Sequence, residues 1–304
     1  MQRHYFSLPS DFFAPFRTAK GLLLLLTYTL SISLHAQQSK RDFAPGSTEE
    51  KDFHTATRRQ DLMMDSLKEL ITMGQESMND VMMQTAMGIA FQNIEPVMKT
   101  DYPAYVRSNP ASGANLRLIS DLMNCKPVAG WMDTLDVLYR SLPTTSRNSQ
   151  EGKILGDQLT SELKTAIGHK AMDFTEYDAQ GKAISLSSFR GKYVLLDFWA
   201  SYDKNCDRAL PVLNKVHDTY GSKGLVILGV SLDSSKTAWL DILKETNSIM
   251  TTQVSDLKGK ENAAALLYDV KDLPKNFLID PNGIIIAKGL TSITLDQTLS
   301  AIFE

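Results

Sequence analysis

The stretch Leu195–Pro211, LLDFWASYDKNCDRALP, decides how the C-terminal half of this chain is read. Its first five residues are a near-continuous apolar run of strand length that ends on Trp199. Ala200 to Asp203 is a short turn, and Asp203 is a residue type that opens helices. The reading is therefore strand, tight turn, helix. Cys206 sits in the first turn of that helix, with Asp203 just ahead of it.

Outward from this stretch the same pattern recurs. KYVLLDFWA (192–200) and LVILGVSL (225–232) are apolar runs of strand length, each followed by a helical stretch, as in a βαβ unit with parallel strands. NFLIDPNGIIIAKG (276–289) reads as a hairpin whose strands are joined by the turn formers Asp280 to Gly283. TLDQTLSAIF (294–303) closes the chain as an amphipathic helix. From about Ala171 onward the expectation is a central mixed sheet flanked by helices.

Upstream the period changes. Leu62, Met63, Leu67, Leu70, Ile71, Met78, Val81, Met82, Ile89, Ile94 and Val97 recur at helical spacing, with Gly74 and Gly88 as expected breaks. ANLRLISDLMNC (114–125), MDTLDVLYRSL (132–142) and KILGDQLTSELKTAI (153–167) are further helical stretches, punctuated by Pro110 and Pro143. Residues 50–168 carry no strand signal, so an all-helical region precedes the sheet. Met78, Met82, Met83 and Met87 read as flexible core fillers. A soft-metal site or an adaptable peptide groove is the sharper alternative, but helical spacing alone does not converge thioethers on one point.

Arg3, His4, Arg17 and Lys20 precede the apolar run Gly21–Leu34, and a small residue, Ala36, follows. That order describes a secretory leader, too short to span a bilayer comfortably, so cleavage is expected rather than anchoring. No cysteine follows it for lipid attachment. The expected organisation is a signal peptide at 1–36, a flexible polar segment at 37–58, a helical region at 59–168 and an α/β domain at 169–304. The expected location is the periplasm, with no stable membrane span after cleavage. A formal charge of −3 and the lack of any basic block argue against nucleic acid as a partner. With two cysteines, Cys125 and Cys206, no disulfide framework holds the fold, and the pair is read either as bridged or as free.

IGHKAMDF, GKAISLSSFRGKYVLLDFWAS, DKNCDRALP, LVILGVSLD and YDVKDLPKNFLIDPNG follow one another in an order that resembles the TlpA/ResA-type branch of the thioredoxin fold, within the AhpC/TSA group. YVRSNPASGANLRLIS and SRNSQEGK resemble the region preceding that domain in exported Bacteroidetes-type members. The resemblance implies thiol-disulfide oxidoreductase ancestry. It also exposes departures: where the family carries W-C-x-x-C, this chain has YDKNC, with Tyr202 for the tryptophan, Asp203 for the attacking cysteine and Lys204-Asn205 for Gly-Pro. Met172 stands where proline is usual.

Disulfide exchange begins with a thiolate attacking a disulfide sulfur, and a carboxylate cannot take that step. Asp203 reads instead as a helix N-cap, worth ~1 kcal/mol, with an acid/base role as the alternative. Asp197 matches the family's buried acid that assists the second cysteine, or else is a hydrogen-bonded acid at a strand end. Pro274 matches the family's cis-proline. In the family the preceding residue, here Leu273, offers its backbone to an extended substrate by strand addition. Trp199 and Tyr202 complete the expected binding surface.

Other chemistries fit poorly. Peroxiredoxins of this group carry a threonine and a proline where Asp203 and Trp199 stand. His217 lies 11 positions beyond Cys206, roughly 16 Å along one helix, too far for a Cys–His pair. His54 and His169 complete no metal-ligand spacing. No cofactor and no metal are implied. Three readings of Cys206 follow: the remnant of an impaired oxidoreductase, part of a non-catalytic module that binds an exported protein or peptide in extended conformation, or a monothiol enzyme using an external thiol.

Overall fold

A computed structural model describes residues 43–76, 95–125, 127–246 and 252–303. The expected leader and the methionines at 78, 82, 83 and 87 lie outside the described residues, as does Gly88. The chain divides into two compact units, one holding residues to 126 with Thr134–Asp157, the other Pro127–Asp133 with Gln158 onward.

The described residues of the first unit are helical. They form α1 (Thr48–Glu76), α2 (95–108), α3 (Asn115–Met123), α4 (Trp131–Ser141), α5 (Thr144–Asn148) and α6 (Gln150–Lys164), with the division between units falling inside α4 and α6. The polar segment expected to be flexible is helical from Thr48, and α1 runs on through Gly74. The reason is local. Ser47 Oγ accepts the Glu50 N–H at 3.1 Å and the Glu50 carboxylate accepts the Gly46 N–H, a capping arrangement that starts the helix. Phe53, Ala56, Thr57 and Gln60 then fall on one buried face at i, i+3, i+4 and i+7. A polar composition concealed that stripe.

The second unit carries the sheets. β1 (Thr175–Tyr177) and β2 (Ala183–Ser185) pair with each other. β3 (Tyr193–Trp199), α7 (Lys204–Tyr220), β4 (Leu225–Ser231), α8 (Lys236–Glu245), β5 (Thr252–Val254), α9 (Ala263–Leu267), β6 (Lys275–Ile279), β7 (Ile285–Lys288) and α10 (Ser292–Phe303) follow. The five-stranded sheet has the order β5-β4-β3-β6-β7. β3, β4 and β5 run parallel, and β6 and β7 are antiparallel to their neighbours. This is the mixed, helix-flanked sheet expected from the sequence. The β6–β7 turn is closed by Gly283 N–H to Asp280 O at 2.9 Å, with Gly283 at φ +86°, a backbone region that glycine enters at little cost.

β3 is apolar apart from Asp197 because both of its faces are covered. Val194, Leu196 and Phe198 point into one cluster with Leu228, Val230, Tyr268 and Phe277. Leu195 points to the other face, with Ile227, Val216 and Leu299. Trp199 lies on that second face too, in a cluster with Cys206, Leu210, Trp239 and Leu243. An interior packed this way on both faces fixes strand register, since a one-residue slip would exchange the faces.

Candidate functional site

The site is built where β3 and β4 end. Parallel strands bring their C-terminal ends to one edge, and ligands of α/β sheets bind in the crevice there. Leu232 N–H donates to Trp199 O at 2.8 Å, carrying the ladder one residue beyond the strands. The chain then turns: Asp203 N–H reaches Ala200 O at 3.2 Å, and Cys206 N–H reaches Asp203 O at 3.0 Å as α7 begins. Asp203 thus occupies the position just before the helix. Cys206, in its first turn, is 1% exposed and in no disulfide.

β6 enters the same edge from the opposite direction. Phe198 pairs with Lys275, so continuing the register brings Pro274 level with Trp199. The Leu273–Pro274 bond is cis. Leu273 packs against the cluster that holds Cys206 and Trp199. Tyr202 is 60% exposed beside them. Its phenol pKa is raised by partial burial and by the neighbouring charges of Asp233, Cys206 and Asp203. All seven residues singled out in the sequence are therefore drawn to one edge of the sheet or, for Asp197, to the strand that leads there.

Asp197 is buried on β3, on the face shared by Leu195 and Trp199, level with Gly229 on β4 and Asn276 on β6. Burial alone pushes its carboxyl up to about 7. Gly229 is needed beside it. A Cβ at 229 would stand 2.2 Å from Gln253 Oε1, so the missing side chain makes room for the Gln253 carboxamide. That carboxamide oxygen accepts from Trp199 Nε1 at 3.0 Å and fixes the indole that walls the Cys206 cluster.

Three contributors escaped the sequence reading. Asp233 binds the turn through Ser201, Gln253 holds Trp199, and Trp239 packs in the Cys206 cluster. Asp233 had a usable signal, an acid just past the C-terminal end of a parallel strand in SLD (231–233). Gln253 had none, since β5 is only three residues long. The two histidines weighed as metal ligands each face an acid instead. His169 Nε2 is 2.9 Å from Asp133, and His54 Nδ1 is 3.6 Å from Asp61. Among the described residues no three metal-ligating acids, histidines or cysteines converge.

A sheet in the order β5-β4-β3-β6-β7, with a cis-proline facing a helix start at its edge, is a thioredoxin-like arrangement. A thioredoxin-like protein from Bacteroides caccae superposes with a TM-score of 0.53 at 17% identity, over 70% of this chain and 82% of that one, which supports the fold. Residues 167–288 match the model of the AhpC/TSA family. Thiol-disulfide oxidoreductase ResA of Bacillus thuringiensis subsp. konkukian is 34% identical over 127 residues, covering 42% of this chain and 71% of the relative. ResA of Geobacillus kaustophilus is 32% identical over 146 residues, covering 47% and 82%. The chain belongs to the AhpC/TSA family, and its thioredoxin-like domain is of the ResA/TlpA-like kind.

Proposed function

We propose that this is an exported, periplasmic ResA-like protein that has lost dithiol exchange and retains the groove beside Leu273–Pro274 for an extended segment of another exported protein. The observation that carries the reading is the pair of residues at the start of α7. Asp203 stands where an attacking thiol is required, and Cys206 is 1% exposed in an apolar cluster. A single buried thiol cannot close an intramolecular disulfide, so no two-electron cycle runs within the motif. The other cysteine, Cys125, is free and buried in the helical unit, and burial pushes its thiol up to about 12, which disfavours the thiolate.

Leu273 and Pro274 support the binding half of the reading. The β3–β6 ladder ends at Lys275, so the main chain at Leu273–Pro274 lies ahead of the paired strand and is the place for an extended peptide to pair, with exposed Tyr202 and the apolar cluster that Leu273 packs against beside it. The basic start, apolar run and small residue within 1–36 support export.

Thiol titration tests the reading directly. In the native protein both cysteines are expected to react slowly with an aromatic disulfide reagent, and both to react at once after unfolding. A Cys206 that titrates rapidly in the native state would shift the assignment to a monothiol enzyme.

A further inference from the structure

We propose that Asp233 is the positioning residue of this site, a carboxylate that sets where Tyr202, Asp203 and Cys206 stand without touching a bound segment itself. The inference deepens the function proposed above and rests on it. Asp233 lies two residues past the end of β4 and is 3% exposed. Its carboxylate reaches across to the turn that precedes α7. Ser201 Oγ donates to Asp233 Oδ1 at 2.6 Å, and the Ser201 N–H lies 3.2 Å from both carboxylate oxygens. Ser231 Oγ donates to Oδ2 at 2.7 Å and accepts the Asp233 N–H at 3.1 Å.

The bond set is closed on the protein side. Ser231 orients the acid, and the acid holds Ser201. Ser255 then fastens the support, donating to Ser231 O at 2.8 Å and accepting the Leu257 N–H at 3.1 Å. Leu257 in turn packs against the cluster of Trp199, Cys206 and Trp239. Hydrogen bonds to an ionised carboxylate are the stronger kind, and a buried donor left without its acceptor bears the full cost of desolvation. A turn of four residues therefore has one dominant anchor, one residue before Tyr202 and two before Asp203. Tyr202 feels the anchor's charge, second only to burial.

Two variants and a built-in control test this. Asp233→Asn keeps the shape but loses the charge and one acceptor, and Ser201→Ala removes one donor with little risk to folding. Native-state alkylation of Cys206 is expected to quicken about tenfold in Asp233→Asn and less in Ser201→Ala, while Cys125 in the helical unit keeps its rate. The Ser201→Ala/Asp233→Asn double variant is expected to match Asp233→Asn alone, because both act through one contact. In the same protein the Tyr202 phenol, followed as the ultraviolet absorbance lost on Tyr202→Phe, is expected to titrate at lower pH once the charge is gone. Parallel quickening of Cys206 and Cys125, additive effects in the double variant, or an unchanged Tyr202 titration would overturn the assignment. A fast Cys206 in the unaltered protein would instead refute the buried-thiol reading, leaving the comparison between variants intact.

Discussion

Glu176 and Asp197 are two buried acids of the thioredoxin-like unit, both pushed up to about 7, and they are held in opposite ways. Glu176 is fastened. Its Oε1 accepts from Asn262 Nδ2 at 2.7 Å and from the Ala264 N–H at 3.4 Å, while Asp256 Oδ2 takes the Ala263 N–H and Asn262 Oδ1 the Ala265 N–H. Together these side chains satisfy the opening amides of α9, groups that a helix cannot satisfy itself. Burial raises Glu176, its two hydrogen bonds lower it, and Asp256 raises it again. Asp197 has only burial acting on it. An acid whose Oε1 is committed to a helix start is a structural part, although its Oε2 is buried without a hydrogen-bond partner. A buried acid governed by desolvation alone, on the sheet face that carries Cys206, is the one whose proton chemistry the following variants test.

The most direct challenge to that contrast is to give Asp197 a reaction to serve. Asp203→Cys creates a C-x-x-C pair with Cys206 at the start of α7. The unaltered protein is expected to show only background insulin reduction with dithiothreitol, and the variant at least tenfold more. In each turnover the new thiolate attacks the insulin disulfide, Cys206 then displaces the reduced insulin, and dithiothreitol restores the dithiol. Lys204 favours the new thiolate by its charge. Adding Asp197→Asn should slow this reaction and move its pH profile, whereas adding Glu176→Gln should leave the profile in place. Equal responses to the two substitutions would erase the distinction between the acids. Appreciable insulin reduction by the unaltered chain would overturn the claim that exchange is lost.

Stability against pH gives the next largest effect, and here the two acids act together. Both have folded values raised above those of the unfolded chain, so the folded state holds these protons more tightly. Their contribution is fully present below about pH 4 and is lost as the pH rises through about 7. A tenfold tighter hold on one proton is worth ~1.4 kcal/mol, so the two acids together contribute on the order of a few kcal/mol. Asp269, lowered by Ser161 and Lys271, works in the opposite sense and only under more acid conditions. The thermal midpoint is expected to decrease on going from about pH 5 to about pH 8.5, and Asp197→Asn should flatten that decrease. A midpoint that climbs over that range would mean both acids are ionised and compensated in the folded protein.

Much of this architecture was legible from period alone. The apolar runs at 192–200 and 225–232, the hairpin turn at 280–283 and, among the described residues, the helical spacing before residue 168 are local signals, and each became the element expected, although the break expected at Gly74 did not form. The start of α1 was not legible, because its buried face is made of Phe53, Ala56, Thr57 and Gln60 rather than a run of aliphatic residues. At the site, Asp203, Cys206, Leu273 and Pro274 were found by their place in a motif. Asp233 and Gln253 act across strands, on Ser201 and Trp199 respectively, and register of that kind is written in no single stretch of sequence.

The smallest effect probes the wall beside Asp197. In Gly229→Ala the new methyl would lie 2.2 Å from Gln253 Oε1, so the carboxamide must swing away and release Trp199 Nε1, a donor on a 1% exposed indole. The expected cost is about 1–2 kcal/mol in urea unfolding, mostly the lost hydrogen bond, with a change in tryptophan emission because the wall of the Cys206 cluster has moved. Gln253→Ala alone should cost a similar amount for the same reason. The double variant decides the matter. With the carboxamide gone, the methyl introduced at position 229 fills the space that Gln253 left, and the second substitution should add almost nothing. Glu176 is held through Asn262 and Ala264 instead, so it should keep its share of the pH dependence while the part owed to Asp197 shifts. Additive costs in the double variant would mean that Gly229 is required by the strand backbone itself, and Gln253 would lose its place in the site.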